Sequence, residues 1–389
     1  MRRSRPLLNK ILLLVAMLLI VGVTVSGCGI RSEPKGWSGV LVTEEDVFFT
    51  TIGGQLVGLN ESGETKWAPS SLSDSGAKVA VYGTPVIEEG LIYVGGYKVD
   101  GNNGRVYVVS AETGNSQPVY PRGRSLTEPI VGGVVVSGEI AYFGGGDEID
   151  GEITYSVYAV DTVRGLEQWR SDVAQDRIWS TPVIDGDVIY VSSFDRRLYA
   201  LDINTGVEKW RFDEAEGAFV ATPLLYQDTL YIGSFDRHVY AVNAADGSLK
   251  WRSEIEAEKW FWAKPVAHDG VIYAPAVDGR LYFLDAETGR EIAGSIDLGS
   301  PLSSDPTVVE DQVLIASQEG KVYSVDTNTF QRQLLFDVKN QNSNMEIFAP
   351  LVASDGVVYV HARTSKTDAL YAVKIETGVT EWFFPRDEE

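Results

Sequence analysis

The sequence predicts an all-β protein, an eight-bladed β-propeller of four-stranded antiparallel blades, and three observations support that fold. A segment of about 41 residues recurs along the chain. Within each repeat, short runs of β-branched and aromatic residues are bounded by Gly, Asp or Asn, as strands are bounded by turns. Beyond the N-terminal segment, no window has sustained helical periodicity with capping residues. A radial stack of small sheets protects its own edges, which favours a propeller over a sandwich.

The repeat is clearest in the middle of the chain. Three segments align there without gaps, residues 180–202, 221–243 and 263–285, and their opening prolines lie 41 and 42 residues apart. The same alignment extends in both directions and gives eight units. The segment aligned with residues 198–202 ends in these units at Asn60, Ser110, Asp161, Asp202, Asn243, Asp285, Asp326 and Lys374. Seven units are assigned an opening proline: Pro85, Pro129, Pro182, Pro223, Pro265, Pro306 and Pro350. Gly39 takes that slot in the first unit.

Each unit is read as four short strands. In unit four, the predicted strands are 182–184, 188–192, 197–201 and 208–212. Several strands are apolar on both faces, as expected where small sheets stack against neighbours. Eight such units fill residues 37–385 as one propeller, with no room for a second domain.

The N-terminus reads as a lipoprotein signal. Basic residues precede an apolar run from Ile11 to Val25, and Val-Ser-Gly-Cys follows, with Cys28 as the lone cysteine of the chain. The tetrapeptide resembles the bacterial lipobox, which implies a signal peptide at residues 1–27, lipidation of Cys28 and a linker at 28–36. The alternative is a transmembrane anchor, but the apolar run is at the short end of a span. Residues 386–389 form an acidic tail.

Composition excludes two classes of protein. The chain has 33 Lys and Arg against 55 Asp and Glu, a formal net charge of −22, and no basic cluster after its first ten residues. Nucleic-acid binding depends on such clusters, so no nucleic-acid partner is expected. One cysteine allows neither an internal disulfide nor a cysteine-based zinc site. This charge fits a soluble or surface-tethered protein.

A second motif closes many units, the pattern Thr-Gly-x-x-x-Trp, as at Thr205, Gly206 and Trp210. With Tyr-x-Gly/Ser-Ser-x-Asp and Leu-Tyr-Ala-Leu-Asp, it resembles the pyrroloquinoline-quinone-type propeller repeat. In that family the tryptophan docks between adjacent blades, a role the resemblance implies for Trp67, Trp169, Trp210, Trp251 and Trp382. The pattern is broken by Pro118, Ala293 and Leu334 in the tryptophan slot and by Phe330 in the glycine slot.

A lipobox followed by eight such repeats resembles the BamB family, lipoproteins of the outer-membrane β-barrel assembly machinery. The resemblance implies a non-catalytic scaffold that is lipid-anchored in the bacterial envelope, faces the periplasm or exterior, and binds an envelope protein. Gly29 after the cysteine, rather than Asp, disfavours inner-membrane retention by that family's rule. The family's partner-binding loop has no matching pattern in residues 171–181, so no interface residues are transferred.

Two other functions stay open. The same repeat occurs in quinone- and Ca²⁺-dependent alcohol or sugar dehydrogenases, and a ligand-sensing surface lipoprotein is a third possibility. We expect no cofactor, because many of those dehydrogenases place a pair of cysteines against the quinone and this chain has only Cys28. We expect no metal, because His238, His268 and His361 fall in three different units without ligand spacing. His238 is expected in a solvated hairpin. Asp195, Asp236 and Asp278 share one hairpin slot, where Asp serves the local turn.

Insertions into the repeat point to one end of the predicted ring. Units two, three and eight have longer hairpins between their second and third strands, and the connections 68–83 and 337–349 are also long. Hairpins and inter-blade connections leave a propeller on one face, so these insertions predict an acidic crescent there that binds a partner or a cation. Its carboxylates are Asp100, Asp147, Glu148, Asp150 and Glu152. The alternative is neutral drift in loop length.

Three tryptophans are expected on the same face. Trp179 and Trp262 share a repeat slot with Tyr82, which favours packing against the next blade. Trp260 has no aromatic counterpart in the other units, which makes it the better candidate for an exposed partner anchor.

Overall fold

Eight antiparallel sheets follow one another along the chain and form the blades of a propeller. The computed structural model describes residues 36–73, 76–101, 103–122, 124–341 and 345–385. The predicted signal peptide, Cys28 and residues 386–389 lie outside these ranges. Within them there is no α-helix, only a 3₁₀ turn at Val338–Asn340, and hence no helix able to cross a membrane. The predicted all-β, eight-bladed fold is confirmed.

Each blade has four strands, A to D, from its inner to its outer edge, in sequential order. In blades 1 to 4 they are Leu41–Val42, Asp46–Thr50, Gln55–Asn60, Ser70–Ser71; Val86–Glu88, Leu91–Lys98, Asn103–Ser110, Ser116–Tyr120; Val135–Ser137, Ile140–Ile149, Glu152–Asp161, Leu166–Ala174; and Val183–Asp185, Val188–Ser192, Leu198–Asp202, Glu208–Phe212.

Blades 5 to 8 repeat the pattern, and two blades gain a short fifth strand. The strands of blades 5 to 8 are Leu224–Tyr226, Thr229–Gly233, Val239–Asn243, Leu249–Arg252; Val266–His268, Val271–Pro275, Arg280–Asp285, Glu291–Asp297; Thr307–Val309, Gln312–Ala316, Lys321–Asp326, Arg332–Asp337; and Val352–Ser354, Val357–Arg363, Asp368–Lys374, Thr380–Phe384. The extra strands, Val79–Ala80 and Glu346–Ile347, come from the two long inter-blade connections and pair with strand B of blades 2 and 8.

The hydrophobic core lies between blades rather than within them. One cluster joins Leu198 and Ala200 of blade 4 to Leu230 and Ile232 of blade 5, all inaccessible to solvent. The same arrangement recurs around the ring, so strands B and C bury both faces. This explains why their sequences are apolar at consecutive positions.

Five tryptophans on strand D, or just before it in blade 1, lock a blade to the next one. Each indole N–H donates to a backbone carbonyl of the following blade over 2.7–3.2 Å: Trp67 to Ala111, Trp169 to Ile203, Trp210 to Ala244, Trp251 to Ala286 and Trp382 to Glu61. Each ring covers a turn glycine at positive φ, such as Gly206, where a Cβ would lie 2.4 Å from Trp169. Trp382 closes the ring from blade 8 onto blade 1, and within the described ranges each of these two blades is built from its own repeat, with no exchanged strand.

The interrupted repeats dock in other ways. At the junction of blades 6 and 7, where Ala293 holds the tryptophan slot, Phe283 of strand C packs against Phe330, which holds the glycine slot, with ring centroids 4.8 Å apart. At the junction of blades 7 and 8 no indole docks within the described residues. Leu335 packs against the hydrophobic cluster between the two blades instead, and its carbonyl lies over Gly378. Leu334 is 49% exposed there, and a groove of about 1210 Å³ runs between the outer strands of the two blades.

The pairing of strands A and B shows that the sequence assigned the wrong residue to the opening position in three blades. In blade 4, Pro182 comes just before the Val183–Tyr190 pair. By that register the slot holds Val40 in blade 1, Val134 in blade 3 and Leu351 in blade 8, rather than Gly39, Pro129 and Pro350. The sequence misplaced it because proline and glycine also occur in the connections that precede strand A.

Candidate partner-binding face and channel mouth

The B–C hairpins and the connections between blades lie on one face, as predicted. The Phe194 N–H of the blade 4 hairpin donates to Arg177 O of the preceding connection over 2.9 Å, and the Val277 N–H of blade 6 donates to Trp260 O over 3.0 Å. These contacts fix the residues of that face, which is called the hairpin face below.

The hairpin aspartates serve the fold. Asp236 accepts hydrogen bonds from the Tyr240 hydroxyl at 2.7 Å and from the N–H groups of Glu216 and Gly217 in the preceding connection. Asp195 and Asp278 make the equivalent bonds in blades 4 and 6. Each carboxylate therefore ties its hairpin to the neighbouring connection. Burial, followed by the hydrogen bond to Asp236, raises the pKa of Tyr240.

An aromatic strip crosses the hairpin face over blades 4 to 6. Trp179 meets Phe194 at 4.6 Å between ring centroids, and Phe194 meets Phe235 at 6.0 Å. Phe235 in turn contacts Trp260 at 6.0 Å and Trp262 at 6.1 Å. All five side chains are partly exposed. The two rings that join the tryptophans, Phe194 and Phe235, were missed by the sequence reasoning, although both recur in the Ser-Phe-Asp-Arg turn.

The strip leads to the mouth of the central channel, which is ringed by one residue from each blade, three positions before the opening slot. The eight residues are Trp37, Tyr82, Val131, Trp179, Val220, Trp262, Ser303 and Phe348. They line a cavity of about 130 Å³. Five of the eight are aromatic, so Trp179 and Trp262 belong both to the strip and to this ring.

One side of the ring is braced by an arginine. Trp37 packs against Tyr82 at 4.4 Å and Phe348 at 5.3 Å. Arg363 lies over the Trp37 and Phe348 rings at 5.2 and 4.9 Å, and its guanidinium donates to Gly36 O at 2.7 Å. Burial lowers the pKa of Arg363. Blades 8, 1 and 2 are thus joined at the channel mouth.

A second circle of side chains lies below the aromatic ring. Thr181 Oγ1 accepts from the Gly133 N–H and Thr222 Oγ1 from the Thr181 N–H, at 2.8 and 3.0 Å. In blade 7 the same place is taken by Asp305, whose Oδ1 accepts from the Lys264 N–H at 2.8 Å. Burial raises the pKa of Asp305, while the Lys264 charge opposes the shift. Asp305 is the one carboxylate among the cavity-lining residues that the structure describes.

These residues do not fit a quinone and calcium site. Ca²⁺ takes roughly six to eight oxygen ligands, whereas this mouth offers one carboxylate and a few threonine hydroxyls. Across the described ranges, no three His, Cys, Asp or Glu side chains are grouped to hold a metal. His238 is buried, not solvated as expected, and its Nδ1 lies 3.0 Å from Ser253 O.

The predicted acidic crescent divides into two kinds of residue. Asp100, Glu148, Asp150 and Glu152 are exposed at the tips of the long hairpins of blades 2 and 3. Asp147 is only 8% exposed; it forms an ion pair with Arg124 and accepts from Thr127 Oγ1 at 2.8 Å. Asp147 therefore holds a connection in place and is not part of an exposed acidic surface.

Comparisons with known proteins agree with this architecture. The family model described as "Outer membrane protein assembly factor BamB" matches residues 29–149, 102–259 and 154–384. The computationally designed Ika8 protein has a similar structure, with a TM-score of 0.65, 16% identity, and 87% of this chain and 100% of that chain covered. BamB from Moraxella catarrhalis has a TM-score of 0.61 and 14% identity, with 90% and 98% covered.

No curated protein matches the chain. The structural likenesses, at such low identity, show the fold. The matches to the family model together span residues 29–384. The chain belongs to the BamB-type family of PQQ-like repeat β-propellers.

Proposed function

We propose that this propeller is a non-catalytic protein-binding scaffold of the bacterial envelope, anchored by lipid on Cys28, which docks on a component of the outer-membrane β-barrel assembly machinery. Family membership supports the envelope role. The aromatic strip of the hairpin face is the observation that carries the scaffold function.

The strip has the composition of a binding hot spot. Partly exposed tryptophan and phenylalanine rings form a continuous surface from Trp179 to Trp260. Arg196 and Arg237, both exposed, follow Phe194 and Phe235 by two residues in their turns. Trp and Arg are enriched among residues that dominate interface energies. Because the backbone of these turns is fixed by hydrogen bonds to the connections, little ordering entropy opposes binding.

Catalysis has no comparable support. The channel mouth lacks the oxygen donors of a quinone and calcium site, and the titratable aspartates of the hairpins are engaged in turn contacts. The dehydrogenase alternative is therefore the weaker one.

The test is capture of the lipidated full chain with its partners from detergent-solubilised membranes of its own cell. The variant is Phe235→Ser with Trp260→Ser. The matched control is Val207→Ser with Leu166→Ser, which removes two apolar side chains that are 64% and 57% exposed. Val207 lies in the C–D turn of blade 4 and Leu166 begins strand D of blade 3, both away from the hairpin face. We expect a barrel-assembly protein with the wild type and the control, and at least about tenfold less with the variant.

Equal recovery from the variant and the control would overturn the assignment of the face. Calorimetric titration with pyrroloquinoline quinone and Ca²⁺ completes the test. Stoichiometric binding of the quinone would contradict a non-catalytic role.

A further inference from the structure

The channel mouth is built like a receptor for an organic cation. Aromatic rings surround a small cavity, and a carboxylate lies among the residues beneath them. The face of an aromatic ring is electronegative and attracts ammonium groups, most strongly where water is excluded. A carboxylate withdrawn from bulk water without a full counter-charge is costly, so its presence at Asp305, which is only partly exposed, calls for an explanation.

The fold alone does not require a charge at Asp305. The equivalent positions in blades 4 and 5 are Thr181 and Thr222, whose neutral hydroxyls accept the same backbone hydrogen bond. Only Oδ1 of Asp305 takes part in that bond, from the Lys264 N–H, and the side chain stays partly accessible through the cavity. A threonine would serve the structure without the cost of desolvating a carboxylate.

The ring is also asymmetric in charge. Arg363 already lies over Trp37 and Phe348, on the blade 8 to blade 1 side. This shows that rings of the mouth accept a cation. Among the described residues, no lysine or arginine side chain lies over Trp179 on blade 4 or Trp262 on blade 6. Asp305 belongs to blade 7, which follows the blade of Trp262 in the ring. Lys264 acts on the Asp305 charge, so an entering cation competes with it.

We propose that the channel mouth binds an organic ammonium group, with Trp179 and Trp262 around the cation and the Asp305 carboxylate as its counter-charge. A cavity of about 130 Å³ admits a single such group, not a large cofactor. The ammonium group belongs either to a free quaternary amine or to a lysine side chain of a bound polypeptide. The site shares Trp179 and Trp262 with the aromatic strip. Its ligand, however, is recognised inside the channel, and its binding is measured without any docking partner.

The experiment is a titration of the mature full chain at constant ionic strength, followed by calorimetry and tryptophan fluorescence. The probes are choline, the peptide acetyl-Gly-Lys-Gly-amide, and 3,3-dimethyl-1-butanol, a neutral isostere of choline. We expect saturable binding of choline or of the lysine peptide, and at least about tenfold weaker binding of the isostere. Choline binding alone identifies a free amine as the ligand, whereas peptide binding identifies a protein side chain.

Variants separate the site from non-specific attraction by an acidic protein. Asp305→Asn keeps an oxygen for the Lys264 N–H but removes the charge, and is expected to weaken binding at least about tenfold. Asp311→Asn removes an exposed charge from the turn between strands A and B of blade 7 and is expected to change nothing. Circular dichroism verifies that both variants are folded. The proposal is wrong if neither cation saturates, if the isostere binds equally well, or if Asp305→Asn binds like the wild type.

Discussion

Trp382 closes the ring, and its loss is expected to destabilise the protein far more than the loss of Leu334 at the same repeat position of blade 7. Trp382 is 8% exposed, and its N–H donates to Glu61 O over 2.7 Å. Its ring lies over Gly63, where a Cβ would come within 2.6 Å. Leu334 is 49% exposed and borders the groove between blades 7 and 8.

The magnitudes follow from these environments. Truncation of a buried tryptophan to alanine costs about 3–5 kcal/mol, of which the indole hydrogen bond contributes about 0.5–1.5 kcal/mol. A fully buried leucine side chain stabilises by about 1.5–3 kcal/mol, so one that is half exposed contributes about 1 kcal/mol. Trp382→Ala should therefore cost at least about 2 kcal/mol more than Leu334→Ala.

The assay is urea unfolding followed by far-UV circular dichroism, which does not depend on the fluorescence of the removed indole. Trp382→Phe serves as an intermediate, because it keeps an aromatic ring but removes the donor. Equal losses for Trp382→Ala and Leu334→Ala, or a larger loss for leucine, would refute the view that indole docking holds adjacent blades together.

Three further outcomes are expected. In urea unfolding, Gly206→Ala should lower the free energy of unfolding more than Gly186→Ala. Both glycines have a positive φ, which costs about 1–2 kcal/mol for alanine. At Gly206 the added Cβ would also collide with the Trp169 ring, whereas at Gly186 it would meet no atom within 4 Å. Asp305→Asn should raise the melting temperature at neutral pH, because burial raises the pKa of Asp305 and disfavours its charged form in the folded protein. The gain should vanish as the pH falls through that raised pKa, since the wild-type side chain then also becomes neutral. An unchanged gain at low pH would contradict this reasoning. Hydrogen exchange should be faster in strand D of blade 7 than in strand D of blade 4, because the blade 7–8 junction lacks an indole.

The repeat predicts the fold well because the contacts that build a blade join residues that are close together in the sequence. Strand pairing, the turn aspartates and the tryptophan docks each depend on residues within one repeat or between neighbouring repeats, so a period of about 41 residues is enough to predict them. Closure of the ring also follows, since Trp382 repeats the role of Trp210. The predicted opening residue was wrong in blades 1, 3 and 8, because the irregular connections before strand A also contain glycines and prolines.

The channel mouth was harder to predict because it is assembled from eight distant positions. Of its eight ring residues, the sequence reasoning grouped only Tyr82, Trp179 and Trp262, since Val131, Val220 and Ser303 break the aromatic pattern. Asp305 was missed because the equivalent positions in blades 4 and 5 are threonines. Phe194 and Phe235 could have been predicted as surface residues. An aromatic residue recurs there in a hairpin turn, where side chains are expected to be exposed to solvent.

The most direct test of the scaffold account is site-specific photocross-linking of the lipidated protein in its own membranes. p-Benzoylphenylalanine is placed at position 260 on the hairpin face, and at position 207 on a C–D turn as the control. The account predicts a discrete adduct with a barrel-assembly protein from position 260 and none from position 207. No adduct from position 260, or the same adducts from both positions, would contradict it.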